Sequence, residues 1–251
     1  QRLCPLILRS CCLSFGTAAG ACKEAEWAMR EIQMNLFDIL GPVMVGPSSS
    51  HTAGAVRIGL AARKLLMEEP KQAHITLYGS FSSTGVGHGT DRALVAGLLG
   101  MEPDDMRIPK SFEAAEEAGL SIRFSHDVCK DYHPNTAVLD VSSASGRRIV
   151  ARASSLGGGR IMIDALDDVE IHVTGERPVV VIHNVDQPGC VSEVTSVMAS
   201  HVVNIATMTL HRSKRGGTAV MVIEMDQNIG EEALARLERI RGILKVTCLN
   251  L

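Results

Sequence analysis

Apolar and polar positions alternate most regularly in the last third of the chain, where they predict six elements of secondary structure. Apolar residues at every second position predict strands, and apolar residues three and four positions apart predict helices. The predicted elements are a strand at 179–184, a helix at 191–200, strands at 204–212 and 218–226, a helix at 230–240 and a strand at 244–249. Because the order βαββαβ is typical of a ferredoxin-like unit, we expect that fold here.

The preceding part of the chain mixes the two patterns. Helices are predicted from Ala55 to Leu66, at 90–99 with Thr90 as its cap, and at 111–118. Strands are predicted at 73–78, 121–125, 137–142, 148–154, 160–164 and 169–174. Glycine-containing turns between the later strands predict hairpins rather than a pure parallel sheet, so the expected fold class is α+β, with a mixed α/β N-terminal domain.

A linker-like stretch, Gly175-Glu176-Arg177-Pro178, predicts a boundary between domains at 34–176 and 177–251. Residues 1–33 have a different character, because they hold four of the seven cysteines and lack a regular pattern before residue 23. Their apolar stretch is too short for a signal peptide. We interpret them as an N-terminal extension outside both domains, and whether they are native sequence stays open.

Composition narrows the class of protein. A net charge of −3 and an aromatic content of 3% give no basic surplus for nucleic acid and few surfaces for base stacking. No apolar run reaches the about 18 residues that a membrane span needs. The cysteines form neither C-x-x-C pairs nor a disulfide framework, so we expect a protein of the reducing cytoplasm.

The segment from Gly46 to Gly54 concentrates polar groups at the start of a predicted helix. Between Pro47 and Gly54 stand Ser48, Ser49, Ser50, His51, Thr52 and Ala53. Proline restricts the backbone, glycine frees it on either side, and a serine here is suited to cap the helix. Hydroxyls, free amides and the imidazole would then surround a volume that suits a carboxylate or a phosphate. The alternative is a capped helix with spare serines and an exposed histidine.

A glycine-rich loop is predicted at 79–89, between a strand and a helix, and it contains His88. Such a loop is typical of nucleotide-binding proteins. However, Thr90 stands where the dinucleotide fingerprint has glycine, and the Walker lysine is absent. The sequence therefore disfavours nucleotide binding, and His88 is equally compatible with a solvent-exposed loop.

A second polar loop is predicted at 126–136. His126, Cys129 and His133 are possible metal ligands, but a zinc site needs a fourth partner and stricter spacing. The rigid turn His133-Pro134-Asn135, which carries two polar side chains, is the stronger candidate for function.

Several of these segments resemble the β subunit of iron–sulfur-dependent L-serine dehydratase, over residues 35–251. The resemblance is carried by FDILGP at 37–42, GPSSSHTAG at 46–54, GHGTD at 87–91, HPNT at 133–136 and GGG at 157–159. From about Arg177 the chain resembles an ACT domain, a module that senses amino acids in metabolic enzymes. The implied fold is a serine dehydratase β-type domain, similar to allosteric substrate-binding domains, followed by a ferredoxin-like ACT domain.

The resemblance implies one subunit of a two-chain enzyme that converts L-serine to pyruvate and ammonia by α,β-elimination. It implies a partner α subunit whose cysteines hold a [4Fe–4S] cluster, and it implies no metal ligand in this chain. Self-association through the ACT domain is also expected.

The resemblance further implies site residues. The expected catalytic residues are His51, Ser49 and Ser50. The expected substrate-binding residues are Ser48, Thr52, His88, His133 and Asn135. The expected effector-binding residues of the ACT domain are Asn184, Asp186, Gly189 and Asn204.

Two alternatives stay open from the sequence. The chain would be a stand-alone amino-acid-sensing regulatory protein without catalytic activity if it acted only through the ACT domain. The first domain also resembles the allosteric substrate-binding domain of some phosphoglycerate dehydrogenases, in which case the segment 46–54 would bind a regulatory anion.

Overall fold

The computed structural model describes residues 43–167, 169–212 and 214–250. The expected extension at 1–33 and the motif at 37–42 lie outside these residues. Within the described residues, no helix is both long and apolar enough to cross a membrane.

Six strands form a mixed sheet in the first part of the chain. They are β1 (Pro70–Tyr78), β2 (Ser121–Asp127), β3 (Thr136–Ser143), β4 (Arg148–Gly157), β5 (Arg160–Leu166) and β6 (Val169–Val173). Their order across the sheet is β2-β1-β3-β4-β5-β6. Strands β1 and β2 run parallel, and all other neighbours run antiparallel. The predicted meander is therefore confirmed from β3 to β6, and the parallel pair is joined by a helical crossover.

Helices cover one face of this sheet. They are α1 (Gly54–Leu66), α2 (Gly79–His88), α3 (Thr90–Leu98) and α4 (Ser111–Glu117). Alternate residues of β1 and β3 are buried, as expected when only one face of a sheet is covered. Helix α1 packs across β3, β4 and β5, and its apolar residues lie in the core.

Two glycines set the distance between α1 and α3. A Cβ atom on Gly59 would lie 2.9 Å from the Cα of Gly97, and a Cβ on Gly97 would overlap the carbonyl oxygen of Val56. Because interiors are close-packed and such contacts are forbidden to real side chains, the two helix backbones touch directly.

The last third of the chain forms the predicted βαββαβ unit. Its elements are β7 (Val179–Val185), α5 (Cys190–Ser200), β8 (Ile205–Arg212), β9 (Thr218–Met225), α6 (Glu231–Glu238) and β10 (Ile243–Leu249). The sheet order is β10-β7-β9-β8, and all neighbours are antiparallel. This order confirms the ferredoxin-like prediction.

The four-stranded sheet shares the apolar core of the first sheet. Helices α5 and α6 pack on one face, over buried residues such as Val180 and Ile223. The buried residues of the opposite face join the core of the six-stranded sheet; they are Val179, Val181, Val220, Val222 and Leu249. In addition, α1 packs against β10, and Lys64 in its last turn donates to the carbonyl of Asn250.

The prediction of a loop at 79–89 is wrong, because α2 occupies Gly79–His88. Glycine and serine are poor helix formers, so local propensity does not explain this helix. Tertiary contacts hold it instead. Phe81 is fully buried, and the amides of Ser80 and Phe81 donate to the carbonyl of Pro134 at 2.6 and 3.4 Å. That carbonyl satisfies amide groups that a helix start leaves without a partner.

Two smaller expectations also differ from the structure. Gly89, with φ of 71°, occupies the cap position of α3, and the predicted cap Thr90 is buried with a hydroxyl that has no described hydrogen-bond partner. Strand β2 extends to Asp127, so His126 lies in a strand and not in a loop.

We predict that Gly97→Ala lowers the free energy of unfolding by about 1–3 kcal/mol, because the added methyl group overpacks the α1–α3 contact. The matched control is Gly87→Ala, since a Cβ at Gly87 meets no atom within 4 Å. The control should match or slightly exceed the wild-type stability, because alanine favours helix. Urea unfolding followed by circular dichroism measures both, and equal stability of Gly97→Ala and wild type would contradict direct backbone contact.

Candidate functional site

The segment 46–54 folds into a tight turn that leads into α1. Ser48 is extended, its hydroxyl accepts from the amide of His51 at 3.2 Å, and its carbonyl accepts from the amide of Thr52 at 2.8 Å. A five-residue π-helical turn, Ser49–Ala53, follows. Ser48 caps this π-helical turn, whereas Ala53, at the cap position of α1, makes no side-chain cap hydrogen bond, so the prediction that Ser50 or an adjacent serine caps the helix is wrong. A Cβ at Gly46 would lie 2.5 Å from the side chain of Thr52, so glycine allows this close approach.

The imidazole of His51 is hydrogen-bonded at both nitrogens. Nδ1 lies 3.1 Å from the hydroxyl oxygen of Ser50 and 3.4 Å from that of Ser48. Nε2 lies 3.2 Å from the hydroxyl oxygens of both Ser80 and Thr84, on α2. His51 is only 9% exposed, so the alternative of an exposed histidine is wrong.

Aromatic groups complete the surroundings of His51. The ring of Phe81 meets it edge to face, with the centroids 5.3 Å apart, and the ring of His88 lies tilted at 5.0 Å. Burial lowers the pKa of His51 below its ordinary value, and the interaction with His88 lowers it further, against the opposing effect of a hydrogen bond to the backbone of Ser80. A neutral imidazole is therefore favoured near neutral pH, and such a group can accept a proton.

Ser80 and Thr84 are site residues that the sequence did not single out. Thr84 lies one helical turn after Ser80, and its hydroxyl also donates to the carbonyl of Ser80 at 2.9 Å. A spacing of four places two residues on one face of a helix. That signal was present in the sequence, but it has meaning only if 79–88 is helical.

The predicted turn at His133 adjoins the site through its backbone. The carbonyl of Pro134 holds the start of α2, and the carbonyl of Asn135 accepts from the amide of Ser155 at 2.9 Å. The Nδ1 atom of His133 accepts from the amide of Asn135 at 3.1 Å. Among the described residues, no hydrogen bond joins the side chain of His133 or Asn135 to His51.

The glycine turn at 157–159 also reaches the start of α1. Arg57 donates to the carbonyl of Gly159 at 3.1 Å. A Cβ on Gly54 would overlap the side chain of Ser155, so β4 and α1 touch at this point. Four motifs that are far apart in sequence therefore gather around one end of α1: those at 46–54, 79–91, 133–136 and 157–159.

The predicted residues of the first domain differ in accessibility. Ser49 is partly exposed, and its hydroxyl makes no hydrogen bond to another described residue. His88 is exposed beside the His51 ring. Thr52 is 2% exposed, and its hydroxyl lacks a partner in the part of the chain that the structure describes.

Three of the four predicted effector residues lie at one end of the four-stranded sheet. Asn184 is buried near the end of β7 and donates to the carbonyl of Val185 at 2.8 Å. Asp186 accepts from the amide of Gly216 at 2.9 Å, and Gly189 occupies the cap position of α5.

Asn204 does not join the other three within one chain. It precedes β8 and donates to Asp226, which follows β9. Because β7 and β8 both run antiparallel to β9, which lies between them, the start of β8 lies at the same end of the sheet as the start of β7, whereas Asn184 lies near the end of β7. The two positions are about 15–20 Å apart at the usual rise of a strand.

The described residues do not fit an iron–sulfur cluster. Cys129, Cys190 and Cys248 are free, and the described His, Cys, Asp and Glu side chains include no group of three that could hold a metal ion. His126 instead bonds the hydroxyl of Ser82 at 3.1 Å. The thiolate set that such a cluster needs is thus not assembled by these cysteines.

Comparison with known families gives two matches. The family described as serine dehydratase beta chain matches residues 35–119, which include the His51 turn, α2 and α3. The ACT domain family matches residues 178–242, which cover most of the βαββαβ unit.

Curated relatives extend the match. The chain is 42% identical to the probable L-serine dehydratase beta chain of Bacillus subtilis, over 85% of this chain and 96% of that protein. It is 39% identical to the L-serine dehydratase beta chain of Peptoniphilus asaccharolyticus, over 78% and 88%. It is 31% identical to L-serine dehydratase 2 of Escherichia coli, over 51% of this chain and only 33% of that longer protein. The chain therefore belongs to the family of L-serine dehydratase β chains and carries a C-terminal ACT domain.

Proposed function

We propose that this chain is the β subunit of an L-serine dehydratase and that it contributes His51 to the conversion of L-serine to pyruvate and ammonia. The observation that carries the proposal is the buried imidazole of His51, whose lowered pKa keeps it neutral amid hydroxyl groups. A general base has to be unprotonated at the working pH, and it has to be held in place.

The elimination requires a group that takes up the α-proton of L-serine and groups that hold its carboxylate. The α-proton of L-serine leaves to a base, for which His51 is the candidate, while hydrogen-bond donors hold the carboxylate. Ser49 is suited to the carboxylate, because its hydroxyl is partly exposed and has no described partner.

Ser48 and Ser50 line Nδ1, and His88 lies at the exposed side of the ring. Thr52, His133 and Asn135 serve this site as framework residues, since Thr52 is buried and the other two act through their backbone turn.

A second chain would complete the active site. Its [4Fe–4S] cluster would supply a Lewis acid for the departing serine hydroxyl. In this proposal the cluster belongs to the partner chain, as the resemblance to the family implies. The Escherichia coli relative also supports a larger catalytic unit, since this chain matches only a third of it.

The ACT domain would carry regulation. Asn184, Asp186 and Gly189 surround the end of β7 and the start of α5, where backbone donors and a carboxylate suit an amino-acid effector. Among the strands that the structure describes, β8 has one edge without a neighbour, and its residues are mostly exposed. Because an unpaired edge is a template for pairing with another strand, self-association through this edge is part of the proposal. Such pairing would bring Asn204 of one copy close to a second copy of the chain.

We predict that His51→Ala lowers kcat of the enzyme reconstituted with the α subunit by about 10²–10⁴-fold, the usual contribution of a general base. The matched control is His172→Ala, because His172 is an exposed residue of the edge strand β6. The measurement is pyruvate formation, alongside gel filtration of the two-chain complex.

Two outcomes would contradict the proposed function. Turnover of L-serine at the wild-type rate by His51→Ala would exclude His51 as the base. Absence of deamination with the α subunit, together with calorimetric binding of an amino acid to this chain alone, would favour the stand-alone sensor.

We also predict an acid limb in the pH dependence of kcat/KM with a midpoint below pH 6.5. Activity is lost at low pH because protonation of His51 removes the base. Since burial shifts the pKa of His51 downward, activity persists to lower pH than it would with a free histidine. Removing the neighbouring imidazole by His88→Gln should move this limb to higher pH, because His88 lowers the pKa of His51, while His172→Gln should leave it in place. A midpoint above 6.5, or a downward shift in His88→Gln, would contradict the assignment.

A further inference from the structure

We propose that Thr84 is a positioning residue that fixes His51 in the tautomer with its proton on Nε2, so that Nδ1 is the basic nitrogen. The inference rests on the proposed function of this site. It adds which nitrogen acts and which side chain selects it.

The hydroxyl proton of Thr84 is already used. Its oxygen lies 2.9 Å from the carbonyl oxygen of Ser80, four residues earlier in α2, and only the hydroxyl can donate in that pair. Such bonds to the i−4 carbonyl are common for threonine in helices. Toward Nε2 of His51, 3.2 Å away, the oxygen of Thr84 is therefore left as an acceptor. An acceptor at this distance favours a protonated Nε2.

Ser80 fits the same arrangement. Its hydroxyl oxygen lies 3.2 Å from Nε2 and 3.2 Å from the hydroxyl oxygen of Thr84. It accepts from Nε2–H and donates its own proton to the second lone pair of Thr84. Each proton on this side of the ring then has an acceptor.

The Nδ1 side is consistent with an unprotonated nitrogen. The oxygen of Ser48 already accepts from the amide of His51, and it lies 3.3 Å from the oxygen of Ser50. Ser48 donates to Ser50, and Ser50 donates to Nδ1 at 3.1 Å. A directed chain of hydrogen bonds results, from Ser48 through Ser50 and the imidazole to Thr84 and the Ser80 carbonyl.

In the opposite tautomer, the donors and acceptors around the ring do not all pair. With the proton on Nδ1, the lone pair of Nε2 faces the oxygen of Thr84, whose proton lies on the Ser80 carbonyl. Among the described residues, only the hydroxyl of Ser80 would relieve that repulsion, and a lone pair that faces an acceptor is unfavourable on an imidazole that is itself buried.

The assignment determines the path of the proton in the elimination. The C–H bond at the α-carbon of L-serine breaks, and its proton goes to Nδ1, directly or through the hydroxyl of Ser50. The electron pair of that bond forms the carbon–carbon double bond, while the bond from the β-carbon to the hydroxyl oxygen breaks and its electron pair leaves with the oxygen as hydroxide. The imidazolium retains its Nε2–H bond to Thr84, so L-serine approaches from the side of Ser48 and Ser50.

The test is the tautomer of His51 in this chain alone, without substrate or partner. Long-range ¹H–¹⁵N correlation spectra of the ¹⁵N-histidine-labelled protein, recorded above the pKa of His51, distinguish protonated from unprotonated ring nitrogens. We expect the Nε2–H form in wild type. Thr84→Val, which keeps the shape but removes the acceptor, should lower the ratio of Nε2–H to Nδ1–H about 2- to 13-fold, the factor for a hydrogen bond of about 0.5–1.5 kcal/mol. Thr84→Ser should restore the ratio.

The matched control is Thr195→Val on α5. Thr195 makes the same bond to the carbonyl four residues earlier, at 2.9 Å, and it is half-buried and far from His51 in sequence. It should leave the His51 tautomer unchanged. In the reconstituted enzyme, Thr84→Val should lower kcat with little change in KM, because Thr84 acts through His51 and does not touch substrate.

A predominant Nδ1–H form in wild type would overturn the proposal, and this measurement needs no variant to fold. An unchanged ratio in folded Thr84→Val would also overturn it. Either result would leave deamination by the two-chain enzyme intact, whereas absence of deamination would overturn the proposed function and leave the tautomer measurement standing.

Discussion

The first domain depends on a single imidazole that is bound from both sides. Ser48 and Ser50 hold Nδ1 from the same turn, whereas Ser80 and Thr84 hold Nε2 from a helix 29 and 33 residues away in sequence. The two segments are brought together by the sheet, because α2 follows β1 directly and is anchored by the carbonyl of Pro134. An imidazole held in this way has little freedom to rotate, and its protonation state is set by the protein rather than by solvent.

Local periodicity explains how much of the fold was predictable. The βαββαβ unit and helix α1 follow from apolar spacing, which acts within a few residues. Helix α2 was missed because its composition opposes helix formation, and its stability comes from the burial of Phe81 and from a carbonyl that lies 54 residues further on in the chain at Pro134. Contacts of that range leave no signal in a local pattern. As a result, Ser80 and Thr84 were assigned to a loop, where a spacing of four has no meaning.

The residues expected to bind an effector show the reverse situation, because there the fold was predicted and the residues were still grouped incorrectly. The separation of Asn204 from Asn184 follows from the sheet order that the sequence already predicted, since the first and second strands of a ferredoxin-like unit run in the same direction. The start of one cannot lie beside the end of the other in a single chain. Motif matching alone does not include this constraint, whereas topology does.

The apolar core that the two sheets share has a consequence for how the chain unfolds. Val179, Val181 and Val222 lie on the face of the four-stranded sheet that meets the first domain, so separating the domains would place them in water. Exposure of such a surface is strongly unfavourable, which couples the two halves. The two halves of the chain should therefore melt in one cooperative transition rather than as independent modules.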